Sequence, residues 1–178
     1  AEISKQKTQI LIHQHGGAYG AIKFYTIEDY ELSICDKFLS WGWKNNKNSN
    51  VVPFYFALPI SVNKIKHNPN GNLLITNVAE HEYSKYFASI PMSIQAIDEI
   101  DMHAKAISLL KEEIRTKVVL RIKYQSDHYK KFDNIISKIK IDKLSKNSSF
   151  INALSNARLY VASHNATSYL ESFYYNIP

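Results

Sequence analysis

At 178 residues the chain has the length of one domain, or of one large domain with part of another. Hydrophobic residues make up 45% of it, which excludes global disorder, and its one cysteine, Cys35, excludes an internal disulfide. The net charge of +6 is local: between Arg115 and Lys146 ten Lys/Arg stand against three Asp, a balance of +7, and the rest of the chain carries −1.

In chain order, the apolar run Ile10 to Ile12 predicts a short buried strand. It runs into His13, Gln14 and His15 and then a turn holding three of the five glycines, Gly16, Gly17 and Gly20. Glycine permits positive φ and a close approach of backbone to a ligand, and ligands bind beyond the carboxyl ends of strands in open α/β sheets. The plain alternative is a tight turn with two incidental histidines. Ile22 to Ile34, with Glu28, Asp29 and Glu31, predicts a loop or short helix. Lys37 to Trp43 predicts a second strand ending at Gly42. The polar run Asn45 to Asn50 predicts a linker, and the prolines after it predict irregular structure over Val51 to Asn70.

Asn72 to Thr76 predicts a buried strand with a polar tip at Thr76-Asn77. Apolar residues at three- and four-residue spacing from Ile90 to Ile114 predict one amphipathic helix over Ser89 to Arg115, with Met92 and Met102 as core filler. Lys117 to Ile122 predicts a strand, Asp127 to Ile139 a helix, and Phe150 to Asn156 a helix capped by Asn147-Ser148-Ser149. Arg158 to Ala162 predicts a strand that leads through Ser163-His164-Asn165-Ala166-Thr167-Ser168 into a last helix ending near Tyr175. Strands alternating with helices predict an α/β fold with a parallel sheet and covering helices.

Three groups of residues could carry chemistry. Ser163 to Glu171 joins a strand end to a helix start, where unsatisfied N–H groups bind phosphate well. Asn165, Thr167 and Ser168 could add hydrogen bonds, and Glu171 could accept from ribose hydroxyls; helix capping is the plain alternative. Arg121 stands in an apolar strand, where a charge needs a partner, either a bound phosphate or a salt bridge. Gln14, His15 and the glycine loop form the third group. The histidine spacing supports no metal site, and no HExxH, P-loop or GxSxG pattern occurs. Cys35 reads as a small buried residue, and His67, His81 and His103 as surface residues. The basic block suggests an anionic ligand or membrane surface, or else a solvated lysine-rich face. No nucleic-acid-binding pattern is present. No window approaches a membrane span of roughly 18 apolar residues. The polar start Ala1 to Gln9 predicts no signal peptide, and the missing initiator Met and the abrupt stop at Asn176-Ile177-Pro178 predict a piece of a longer protein.

Several blocks then occur in a familiar order: Q-H-G-G-A-Y-G from Gln14 to Gly20, E-L-S-I-C-D-K-F-L-S-W-G-W from Glu31 to Trp43, L-L-I-T-N from Leu73 to Asn77, V-L-R-I-K-Y from Val119 to Tyr124, and S-H-N-A-T-S-Y-L-E-S-F-Y-Y-N-I-P from Ser163 to Pro178. Together they resemble a family of bacterial transferases for surface carbohydrates related to the Kdo transferases of lipopolysaccharide and capsule synthesis. The first and last blocks are the specific ones. The resemblance implies a GT-B architecture of two Rossmann-like domains facing a cleft. Residues 1–49 would end the N-terminal domain, and residues 50–178 would be most of the nucleotide-sugar-binding C-terminal domain.

Carried over by position, the resemblance implies that Ser163, Asn165, Thr167 and Ser168 cradle the donor phosphate, Glu171 holds the nucleotide, and Arg121 lies on the phosphate side. Gln14, His15, Gly16, Gly17 and Tyr19 would face the transferred sugar, with His15 as general acid–base or as a hydrogen-bond donor to the leaving group. It implies a CMP- or UDP-linked sugar donor, a carbohydrate or lipid-linked acceptor, no obligatory metal or other cofactor, and a cytoplasmic location with contact to the inner membrane surface. A non-catalytic nucleotide- or sugar-binding module, or a polyol-phosphate transferase or epimerase on the same fold, are the rival expectations.

Overall fold

The computed structural model describes residues 8–55, 65–77, 94–122, 142–143 and 149–178. The chain divides into two compact units, Ala1–Asn63 and Lys64–Pro178. Each has its own sheet, and every strand pairing among the described residues is parallel. The fold is α/β, as the alternation of elements predicts.

The first unit begins with β1 (Leu11–His13), passes through α1 (Thr26–Ile34) and returns as β2 (Lys37–Ser40). Strand β3 (Val51–Pro53) joins the far side of β2, giving the order β1-β2-β3. The polar run 45–50 therefore joins two neighbouring strands of one sheet, and a strand stands where the prolines predict irregular structure. Pro53 is tolerated because it closes β3, where the ladder needs no further donor from it. Phe38 is fully buried at the centre of the unit, with Tyr19, Cys35 and Val51 around it. Its ring stacks on Tyr19 at 5.6 Å. Gly20 has φ +71°, and a Cβ there would lie 2.7 Å from Trp43 Cε2. That residue is glycine because the indole of Trp43 lies against its backbone.

In the second unit β4 (Asn72–Asn77) is central. The chain continues through α2 (Ile94–Ser108) and α3 (Glu112–Arg115) to β5 (Val118–Ile122) and then β6 (Asp142–Lys143). After α4 (Phe150–Ser155) it crosses to the other side of β4 as β7 (Ala157–Ala162) and ends in α5 (Thr167–Tyr174). The order is β6-β5-β4-β7. Alternate residues of the strands serve opposite faces. Ile75, Val118 and Leu120 pack against Ile100 and Ile107 of α2, whose seven-residue spacing puts both on one helix face. On the other face Tyr160 meets Phe150 of α4 and Ser168 of α5.

The single helix expected over Ser89 to Arg115 is two helices within its described part. The Ser108 hydroxyl donates to the Lys105 carbonyl, which competes with the helical ladder, and Leu110 N donates to Ile107 O in a tightened turn. Leu110 thereby packs on the core formed by Ile100 and Ile107. Met102, expected as core filler, is exposed, and His103, expected at the surface, is half-buried with an unpartnered Nδ1 among the described residues. The short strand β6 has no counterpart in the sequence expectations, and the helix expected over Asp127 to Ile139, with Met92 and His81, lies outside the described residues. Ser149 caps α4 as expected, its Oγ accepting from Asn152 N at 3.1 Å. Among the described residues no helix is long and apolar enough to cross a membrane.

Candidate functional site

The second unit changes winding direction at β4. From β4 the chain moves outward through β5 to β6, then returns to place β7 on the opposite side. In open α/β sheets ligands bind beyond the carboxyl ends of the two strands at which the strand order reverses. Here those strands are β4 and β7, and the segment leaving β7 is Ser163 to Ala166.

Thr76 and Arg121 are directly paired across β4 and β5, so their side chains share a face. On that face the Tyr160 hydroxyl donates to Ser168 Oγ at 2.8 Å and shares a 2.8 Å hydrogen bond with Thr76 Oγ1. Thr76 and Tyr160 are buried, and this pair ties the end of β4 to the first turn of α5. Arg121 lies over the Phe150 ring at 5.8 Å from its centroid. Burial pushes its guanidinium down from the ordinary value, and the anionic forms of Tyr160 and Glu171 oppose the shift. Burial pushes the Glu171 carboxyl up, and Arg121 opposes that in turn. A half-buried cation and a half-buried anion thus act on each other beside three hydroxyl groups.

The N-cap position of α5 is Ala166, which makes no side-chain capping hydrogen bond. Ser163 Oγ bonds instead to His164 Nδ1 at 3.1 Å, and the Ser168 hydroxyl is engaged by Tyr160. Asn165 is exposed, and Thr167 opens the helix half-buried. Side chains at the N-cap commonly satisfy first-turn N–H groups, and alanine has none to offer. An uncapped helix start beside a partly buried arginine can hold an anion such as a phosphate, and Glu171 can accept from hydroxyl groups.

The glycine loop in the first unit has a different character. Gln14 is buried and fully employed inside the protein. Its Oε1 accepts from Trp41 N and Trp43 Nε1, both at 2.8 Å, and its Nε2 donates to Gly16 O at 2.7 Å. The amide therefore braces the ends of β1 and β2 and shapes the loop. Gly17 is buried, and a Cβ at Gly16 would meet only ordinary contact with Tyr19, at 3.6 Å. His15 is exposed, with its Nε2 3.0 Å from Glu31 Oε1 of α1 and 2.6 Å from Tyr19 Oη. Tyr19 is buried, and burial, a hydrogen bond to Glu31 and the negative charge of Glu31 raise its phenol far above the ordinary value. Burial also raises the Cys35 thiol, which suits a packing residue. Among the described residues no group of three His, Cys, Asp or Glu side chains comes together in a metal-binding arrangement.

The structure thus brings Arg121, Ser168 and Glu171 to one end of the second sheet and His15 and Tyr19 together in the first unit. Sequence reasoning missed Glu31 and Tyr160. Glu31 is sixteen residues from His15 and reaches it only through the turn into α1. Tyr160 stands inside an apolar strand, where its one signal is a hydroxyl that must find a partner when buried.

No curated protein and no solved structure matches the chain. A family model described as LIC12162 family transferase matches it over residues 1–178. With a match that spans its whole length, the chain belongs to the LIC12162 family of transferases.

Proposed function

We propose that this transferase moves a sugar from a nucleotide-activated donor, CMP-linked Kdo or a UDP-linked sugar, to a carbohydrate or lipid-linked acceptor in bacterial surface-polysaccharide or lipopolysaccharide assembly. The observation that carries the reading is the cluster of Arg121, Tyr160, Ser168 and Glu171 at the reversal between β4 and β7. In glycosyl transfer the anomeric carbon–oxygen bond breaks and the nucleotide phosphate leaves with the electron pair. Arg121 and the uncapped start of α5 supply positive potential for that phosphate, in a setting where such charges act strongly. Ser163, Asn165 and Thr167 add donors from the loop, and Glu171 accepts from the ribose hydroxyls. The parallel, doubly wound sheet of the second unit is compatible with a GT-B nucleotide-binding domain. Work on the cytoplasmic face of the inner membrane, aided by the basic block of residues 115–146, belongs to the same proposal.

Calorimetry with CMP and UDP tests it. Arg121→Ala removes a charge-assisted phosphate contact worth about 1.5–3 kcal/mol, so affinity is expected to fall at least about tenfold. Absence of binding by either nucleotide sinks the proposal. Binding without turnover of any nucleotide sugar assigns the protein to a non-catalytic nucleotide-binding role instead.

A further inference from the structure

Ser149 fixes the first turn of α4, and Phe150 is the first residue of that helix. Leu154, one turn on and fully buried, shares its face, so Phe150 stands on the side of the helix that packs inward. Its ring meets two residues of the sheet. It stands edge-on to Tyr160, with centroids 5.5 Å apart, and the Arg121 guanidinium carbon lies over it at 5.8 Å from the centroid. The Tyr160 hydroxyl in turn donates to Ser168 in the first turn of α5. One ring therefore touches both the cation and the phenol of the cluster, and all of these residues belong to the second unit.

An aromatic face attracts a cation electrostatically, and more strongly where water is partly excluded. It differs from a carboxylate in what it leaves behind. A carboxylate pairs with the guanidinium N–H groups and cancels the charge, whereas a ring leaves the charge for an incoming anion. Arginine also loses much rotamer freedom when it is ordered. A guanidinium already held by a ring has lost part of that freedom before the ligand arrives, so an anion binds it at lower cost.

We propose that Phe150 is a positioning residue that holds the Arg121 guanidinium in place for the donor phosphate. The proposal deepens the nucleotide-binding reading above and rests on it. Phe150 acts through Arg121, so its effect is confined to the phosphate and disappears when Arg121 is removed.

Two measurements test the proposal on the whole protein. The first is calorimetry with CMP and UDP, with the uncharged nucleosides cytidine and uridine beside them. Phe150→Leu is expected to weaken nucleotide binding about threefold to tenfold and to leave nucleoside binding within about twofold. Phe150→Tyr keeps a ring face and is expected to stay within about twofold of the wild type. In an Arg121→Ala background, Phe150→Leu is expected to cause no further loss, because the two residues act as a unit. An equal loss for nucleotide and nucleoside, or the same loss without Arg121, overturns the proposal.

The second measurement needs no ligand. Side-chain spectra of arginine-labelled protein report the ring-current shift of each guanidinium and its rate of rotation about the Nε–Cζ bond, and Arg121→Ala identifies the Arg121 signal. The wild type is expected to show a shifted, slowly rotating Arg121, Phe150→Leu an unshifted and faster one, and Phe150→Tyr the behaviour of the wild type. An Arg121 signal that Phe150→Leu leaves unchanged, in a protein that binds CMP or UDP, overturns the positioning role and leaves the nucleotide-binding reading standing. If the wild type binds neither nucleotide, that reading fails and the role toward the donor phosphate fails with it, while the spectra still decide whether Phe150 holds Arg121.

Discussion

The Tyr160 hydroxyl stands 2.8 Å from Thr76 Oγ1, joining β7 to the end of β4 at the point where the strand order reverses. The same hydroxyl donates to Ser168 in the first turn of α5. One phenol therefore sets the spacing between a strand end and the helix start that follows the neighbouring strand. Groups fixed in place before a ligand arrives bind it at lower cost, which is the energetic advantage of preorganisation.

Tyr160→Phe should keep the ring packing on Phe150 and remove only the hydroxyl. Thr76 then loses its partner in a buried setting, which costs about 1–3 kcal/mol. Urea unfolding is expected to show a lower midpoint with an unchanged slope, because the surface exposed on unfolding is the same. A midpoint equal to that of the wild type would show that water replaces the lost hydroxyl without cost.

Gly71 precedes β4, and a Cβ there would lie 2.4 Å from Asn156 O and 2.8 Å from Arg158 N. Gly71→Ala must push the start of β7 away from β4, and overpacking of this kind costs about 1–3 kcal/mol. Gly16→Ala is the contrast, since its added carbon meets Tyr19 only at ordinary contact distance, and about 0.5 kcal/mol or less is expected. Thermal unfolding of the two variants checks the difference, and equal melting temperatures would contradict it.

Glu171 gives a pH signature of known sign. Burial raises its folded pKa above the ordinary carboxylate value, and Arg121 offsets this only in part. The folded state therefore holds the proton to higher pH than the unfolded chain does. Its stabilising contribution is complete below the ordinary carboxylate pKa and is lost as pH rises through the raised folded value. Glu171→Gln removes the titration, so the stability of the variant relative to wild type should increase as pH climbs from about 4 toward neutrality. A constant difference across that range, read from urea midpoints, would show that Arg121 fully offsets the burial.

Gln14→Ala should disturb the first unit more than its position on a loop suggests. It removes the acceptor that Trp41 N and the Trp43 indole N–H both reach. The loss of such hydrogen bonds costs about 0.5–1.5 kcal/mol each. A shift in tryptophan emission together with a lower unfolding midpoint is the expected result, and unaltered emission would argue against the bracing role.

The helices and strands that sequence reasoning placed well are those whose signals are local. Ser149 caps α4 because its oxygen needs only the N–H three residues on, and the β4 strand reads as apolar because both its faces are covered. The long stripe from Ile90 to Ile114 concealed the break at Ser108, because one hydroxyl turned back on the ladder leaves no trace in hydrophobic spacing. Ser163 to Ser168 was legible as a strand-to-helix turn, but its cap turned out to be Ala166. Only the path of the backbone selects which residue of such a run takes the cap position.

By itself, the sequence determined the α/β character, the places of β1, β2, β4, β5 and β7, and the two loops that follow strand ends, because hydrophobic period and glycine or proline placement act over a few residues. The tertiary structure decided that β7 lies beside β4 rather than beyond β6, which is what puts the reversal of strand order there. It also decided that Gln14 is a brace and that His15 answers to Glu31. Those outcomes depend on contacts between residues far apart in the chain. Such contacts are set by which faces the folded strands and helices must bury, and no local pattern carries that information.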